Sequence, residues 1–351
     1  MELYLIDVDP GAVYLAEPEP PIADEILSSP MMRHPQLREE VERWVEYWQS
    51  VGSTWFQGYL ERMSQFSPLV DSALTNRGLP PSLRYLPIVE SGYSPRAVSR
   101  AGAVGLWQFM APTARGFGMD VGPLLDERRN PYLSTAAAME FLADLRFRFG
   151  SWFLALAAYN AGPNRVDRIL RRHAHPLTPR SDSLYWEIRS RLPRETRDFV
   201  PKFLGALIVA SNPRGHGLGS PDPPTGFAFD RVTVPDATTL DIVAKAAGVS
   251  QAEIERLNPE IVRGITPPGQ ATELRVPPGT GPVFAEGYAR IPPEARVTFV
   301  EHRVSKGETL SGIALRYGVR LSDLEAANPR VQPQRLQIGQ RITVPVAPTS
   351  R

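Results

Sequence analysis

From Pro35 onward, apolar residues recur at helical spacing. Val41, Trp44, Trp48, Val51, Trp55, Tyr59 and Met63 follow three or four positions apart and draw one apolar stripe along a helical face. Gly52 and Ser53 fall inside that stripe and are expected to split it into two helices. An aromatic stripe can act as a sugar platform, but at this spacing it is expected to be core. Further helices are predicted around 67–77, 82–92, 111–116, 133–147, 151–160, 163–171, 183–190 and 195–211, with few alternating runs between them. The first two hundred residues therefore read as an all-α domain. Pro87 lies inside the segment 82–92, where it removes a backbone hydrogen bond and is expected to kink the helix, which should end near Gly92.

Pattern is absent at both flanks of this domain. Residues 1–30 carry Pro10, Pro18, Pro20, Pro21 and Pro30 among scattered acids, the composition of a disordered, extended arm. The stretch SNPRGHGLGSPDPPTG, from Ser211 to Gly226, is a Pro and Gly cluster that marks a linker. Beyond it the texture becomes short strand, helix, helix, strand, and the chain repeats itself. TLDIVAKAAGVSQAEIERLNPEI, from Thr239, aligns without gaps on TLSGIALRYGVRLSDLEAANPRV, from Thr309, and each copy closes on a strand-like RVP or TVP.

Composition narrows the choices. With 42% apolar and 22% charged residues the chain is globular, and a net charge of +1 without a basic block argues against nucleic acid as the main partner. The absence of cysteine removes disulfides, thiolate metal sites, a cysteine nucleophile and a lipidated N-terminal cysteine from the chain as given. The five histidines show no ligand spacing beyond His173 and His175 in an Arg- and Pro-rich loop, so no metal is expected, and no phosphate-cradling or dinucleotide loop implies a cofactor. The longest apolar runs, 153–159 and 203–210, fall far short of a bilayer span. The N-terminal residues hold acids where an export signal has Lys or Arg, so nothing in the chain as read directs export.

Glu90 is the candidate for chemistry. It sits in LPIVESGYSP, a dozen residues before the small-residue stretch AGAVGLWQFMAPTA. A carboxyl placed among Leu86, Ile88, Val89, Leu106, Phe109 and Met110 is held protonated by desolvation, as a general acid for glycosidic cleavage must be. Glycosidases commonly pair two carboxylates. Asp126 and Glu127, in DERRNP, are expected instead to be a helix cap or a solvated turn.

Three separated motifs carry a resemblance. Glu90-Ser91 is followed by Tyr93-Ser94-Pro95, Ser99, the run Gly102 to Met110, and Thr113-Ala114; then come Ala157-Ala158-Tyr159-Asn160-Ala161-Gly162 and Leu192-Pro193-Arg194-Glu195-Thr196-Arg197. In that order they resemble the lytic transglycosylases of glycoside hydrolase family 23, over about Pro35 to Val209. The tail resembles two LysM modules, strongly from His302 and with departures in the first copy, where VPDATTL and ITPPGQATELRVP replace the usual turn and ending. The implied architecture is multidomain: an arm over 1–30, an all-α, lysozyme-like catalytic domain over 31–211, a linker over 212–227, a divergent LysM-like module over 228–280, a second linker over 281–299 and a LysM module over 300–347, both modules being small βααβ domains.

The resemblance implies peptidoglycan glycan strands as the partner, cleavage between N-acetylmuramic acid and N-acetylglucosamine with 1,6-anhydro products, and a bacterial periplasmic or envelope location; the oligomeric state stays open, with a monomer favoured. Glu90 would be acid and then base, Ser91 would orient its carboxyl, Ser99 would bond the substrate acetamide, and Gln108, Met110, Tyr159 and Asn160 would line the sugar sites. Phe199 stands where the family often has a Tyr, and the missing hydroxyl is expected to weaken the tuning of Glu90. Two alternatives remain: a hydrolase of the same bond, because related lysozymes share the fold, and a non-catalytic peptidoglycan-binding protein.

Overall fold

The computed structural model describes residues 24–122, 124–175, 177–221, 228–267, 270–292, 299–317 and 319–345. Its front domain is helical throughout: α1 (Pro35–Gln49), α2 (Ser53–Asn76), α3 (Leu86–Ser91), α4 (Ala111–Gly116), α5 (Pro131–Phe149), α6 (Trp152–Ala161), α7 (Pro163–His173), α8 (Asp182–Ile188) and α9 (Arg194–Ser211). Helix α6 is apolar on every side, and 152–158 are buried without a break, so other helices must wrap it. They do: α5, α7, α8 and α9 pack around α6, and α1 lies along α9. The stripe read from sequence is largely core, with Val41, Trp48 and Met63 buried, while Val51 and Trp55 at the α1–α2 turn remain exposed.

The helix carrying Glu90 differs from its expected form. Pro87 lies in the first turn of α3 and causes no kink, because the preceding Pro81–Tyr85 form a separate 3-10 turn. A proline costs nothing there, since its missing N–H would have had no partner. The helix ends at Gly92, which adopts φ +58° and donates to Ile88 and Pro87 carbonyls. A Cβ at Gly92 would meet the Tyr59 ring at 2.4 Å, so close packing also demands the glycine. The helix expected at 67–77 is the second half of α2, which runs through Pro68 with Phe66, Val70 and Leu74 buried.

The arm is shorter than the 1–30 expected. Ile26 is fully buried in the main core, and the Asp24 carboxylate accepts from Ser82 N at 2.8 Å and Ser82 Oγ at 3.0 Å. Ser29 Oγ donates to Asp182 at 2.6 Å and Trp152 Nε1 donates to Glu25 at 2.8 Å, which ties 24–30 down further; residues 1–23 lie outside the described residues. Of the first linker, 222–227 lie outside the described residues, and Gly219 N is anchored to Gln57 Oε1.

The tail holds two modules, each a two-stranded antiparallel sheet with two helices between its strands. The first comprises β1 (Asp230–Val234), α10 (Leu240–Ala247), α11 (Gln251–Leu257) and β2 (Thr272–Val276). It continues into α12 (Gly281–Arg290), a helix where a linker was expected. Phe284 and Tyr288 of α12 are buried against α10 and β1, and Gly287 passes so close to Ala246 O that a Cβ would lie 2.3 Å from it. The second comprises β3 (Phe299–Arg303), α13 (Leu310–Tyr317), α14 (Leu321–Ala327) and β4 (Arg341–Pro345).

The first module is seated on the front domain. A strap at 124–130 pairs antiparallel with 260–262: Asp126 N donates to Glu260 O and Val262 N to Leu124 O, both at 2.9 Å, with Leu125 opposite Ile261. Around this ladder Asn130 Nδ2 reaches Glu260 Oε1 at 3.1 Å, Arg275 pairs with Glu260, Tyr132 meets Phe229 edge-on at 5.3 Å, and Arg96 donates to Glu255 O. Leu124, Ile265 and Ala326 form an apolar contact among all three parts, beside an Arg263–Asp323 ion pair of 3.6 Å.

Candidate active site

Glu90 occupies the last turn of α3, with protein crowding its flanks and only part of its surface open. Among the described residues no hydrogen bond or ion pair reaches its carboxyl. Burial pushes its pKa up to about 8, against the opposing pull of the Lys202 ammonium and with a smaller upward push from Glu195. Lys202, on α9, lies 5.9 Å from the ring centres of both Trp44 and Trp48, and its Nζ is 3.4 Å from Val89 O. Burial lowers the Lys202 pKa in turn, with Glu90 opposing. Each group is thus pressed toward its neutral form, since loss of water outweighs their mutual attraction.

The loop 97–110 forms the neighbouring wall. It is a compact double turn: Ser99 N donates to Ala103 O, Gly105 N to Ala97 O, and Val104 and Phe109 exchange two backbone bonds. Ser99 Oγ accepts from Ala103 N at 3.0 Å, leaving the hydroxyl proton free to donate. Gln108 is held at φ +50°, an uncommon conformation for a residue with a side chain, and its Nε2 bonds Gly105 O at 2.8 Å. Met110 closes the loop with 43% of its surface exposed, so it is no core residue.

Tyr159 and Asn160, at the end of α6, have complementary polarity. The Tyr159 hydroxyl donates to Trp107 O at 2.6 Å, which leaves its oxygen to accept, and burial raises its pKa well above the ordinary value, with Glu90 adding to the rise. Asn160 Oδ1 accepts from Thr196 Oγ1 at 2.7 Å, which leaves its amide hydrogens to donate. Ser91 departs from its expected role. Its hydroxyl donates to Leu106 O at 2.7 Å and accepts from Ser94 N at 3.2 Å, and makes no bond to Glu90. Consecutive helical side chains diverge by about 100°, so Ser91 anchors α3 to the loop instead. Phe199 is buried in the core and brings no hydroxyl to the site.

Three contributors escaped the sequence reading. Lys202 follows the third motif by only a few residues, and a lysine after Val200-Pro201 on the buried side of α9 was the available signal. Glu195, in the first turn of α9, is a second carboxylate near Glu90, though an exposed one. Arg128 is buried; it grips Asp126 with two bonds of 2.8 Å and donates to Gly102 O at 3.0 Å and Phe109 O at 3.1 Å. Asp126 itself accepts from Arg128 N, the capping role expected of DERRNP. No group of three or more His, Asp or Glu among the described residues is arranged to hold a metal ion.

Comparison with known proteins meets this geometry. The family described as "Transglycosylase SLT domain" matches residues 69–178, which contain Glu90, Ser99, Gln108, Tyr159 and Asn160. The family "Lytic transglycosylase MltD, LysM-like domain" matches 228–292, taking in α12, and the LysM domain family matches 302–345. The chain is 28% identical over 336 residues to membrane-bound lytic murein transglycosylase D of Escherichia coli strain K12, covering 92% of this chain and 71% of that protein. Among solved structures, an inactive mutant of lytic transglycosylase Slt from Pseudomonas aeruginosa matches 44% of this chain at 25% identity and TM-score 0.34. The 70 kDa soluble lytic transglycosylase of Escherichia coli matches 43% at 25% identity and TM-score 0.35. In both cases the match spans 24% of the solved chain. The chain therefore carries a transglycosylase SLT domain followed by a LysM-like and a LysM domain, and it is similar to membrane-bound lytic murein transglycosylase D.

Proposed function

We propose that this protein is a peptidoglycan lytic transglycosylase acting at the bacterial cell envelope, with Glu90 as its catalytic group. The observation that carries this reading is an enclosed carboxyl that no hydrogen bond or ion pair reaches among the described residues and whose pKa burial pushes up to about 8. Glu90 donates its proton to the glycosidic oxygen between N-acetylmuramic acid C1 and N-acetylglucosamine O4 as the C1–O bond breaks, and the muramyl acetamide stabilises the positive C1. The carboxylate left behind takes the proton of the sugar's own C6 hydroxyl while O6 bonds to C1, giving a 1,6-anhydromuramyl end and consuming no water. Ser99 would donate to the acetamide carbonyl. Tyr159 and Asn160 offer one acceptor and one donor, and Gln108 and Met110 line the rim.

Glu195 supports a second reading, hydrolysis by two carboxylates, in which it would activate water. Digestion of purified sacculi followed by mass spectrometry separates the two. Transfer leaves anhydro ends lighter by one water than the reducing ends of hydrolysis, and Glu195→Gln keeps most of the activity. Reducing ends together with a loss of about 100-fold or more in Glu195→Gln would establish the hydrolase instead. A Glu90→Gln chain that lyses sacculi at the wild-type rate would remove Glu90 from the chemistry, and a wild type that releases no muropeptides at all would leave only a wall-binding protein.

A further inference from the structure

The two tail modules correspond residue for residue through a shared clamp. Asn258 Nδ2 donates to Ile254 O and Arg275 O while its Oδ1 accepts from Arg275 N; Asn328 does the same with Leu324 O, Thr343 O and Thr343 N. Just past these asparagines, Glu260, Ile261 and Val262 stand where Arg330, Val331 and Gln332 stand. In the second module Arg330 and Gln332, with Arg335 and 337–340, rim an open hollow of about 620 Å³. In the first module the equivalent stretch is covered by the strap, whose backbone completes hydrogen bonds to Glu260 and Val262. Glu260, in the place of Arg330, is instead 4% exposed and forms an ion pair with the buried Arg275.

We propose that the first module is a docking device whose partner is the catalytic domain, that it binds no glycan, and that it braces the wall of the cleft. The bracing passes through named atoms. The strap residue Arg128 holds the carbonyls of Gly102 and Phe109, and Gly105 lies so close to Arg128 O that a Cβ would approach it to 1.8 Å. Arg128 is a positioning residue, and this step rests on the reading of loop 97–110 as the lining of the sugar sites. The hollow of the second module is then the tail's glycan site.

A covalent lock tests the proposal. Leu125 and Ile261 are a non-hydrogen-bonded antiparallel pair, because the ladder bonds join 126 to 260 and 262 to 124. Such pairs hold their Cα atoms about 4.5 Å apart, within disulfide range. The chain has no cysteine of its own, so Leu125→Cys/Ile261→Cys in the full chain gives a single defined bridge. We expect it to oxidise within one molecule. Oxidised and reduced forms should bind chitohexaose with equal stoichiometry and affinities within about twofold. Failure to cross-link, or loss of a binding site on oxidation, overturns the proposal. Leu125→Asp opens the seam from the catalytic side and should lower kcat/KM on sacculi about tenfold without weakening chitohexaose binding; an unchanged kcat/KM removes the brace. A wild type that releases no anhydro ends would sink the transglycosylase reading and leave the binding comparison standing.

Discussion

Glu90 is costly to hold, and the sign of that cost is measurable. Its native pKa of about 8 lies above its ordinary value, so the native chain keeps a proton that the unfolded chain releases as pH rises through about 4.5. Stability from this group is fully present below the unfolded value and is lost as pH climbs toward 8, by on the order of a few kcal/mol. Glu90→Gln should abolish lysis by about 100-fold or more and yet melt higher than wild type at pH 8, with the difference vanishing near pH 4, as thermal denaturation at the two pH values would reveal. Because the acid must be protonated, activity should fall as pH rises through about 8. Lys202 pulls that pKa down, so in Lys202→Met the alkaline limb of the pH–kcat profile moves to higher pH; a limb that stays in place would mean the ammonium does not act on Glu90.

At the scale of elements, short-range chemistry was legible and long-range contact was not. Gly92 announced the end of α3, DERRNP announced a cap, and helical spacing located most of the front domain, because each depends on neighbours a few residues away. Pro87 misled, since the same residue that breaks a helix interior starts a helix comfortably, and only the placement of the preceding turn decides between them. Lys202, Arg128 and the buried face of α12 were hidden because their meaning comes from partners dozens of residues distant. The loop behind Glu90 depends on such contacts. Gly105→Ala combines a positive φ of +87° with a collision on Arg128 O, so we expect a loss of roughly 2 kcal/mol or more and a matching fall in activity, by denaturant titration and sacculus lysis. Ser91→Ala leaves Leu106 O without its partner and should cost about 1 kcal/mol while keeping the pH profile of the wild type.

On the scale of the whole molecule, the seam between front domain and first module contains, among the described residues, two buried ion pairs, Arg128–Asp126 on the strap and Arg275–Glu260 on the module, and removing the second by halves is worse than removing it entire. Arg275→Met strands the Glu260 carboxylate, whose Oε2 already lacks a partner, and should destabilise the chain by about 3–5 kcal/mol, whereas adding Glu260→Met should recover much of that loss in calorimetry. The apolar contact of Leu124, Ile265 and Ala326 extends the same seam to the second module. A polysaccharide gripped in the far hollow would then reach Glu90 after a fixed span of repeating units, so the molecule would work as a ruler. Limited digestion of long strands should release fragments clustered around one preferred size, and cutting the ruler at Ala326→Asp should smear that distribution into a continuum.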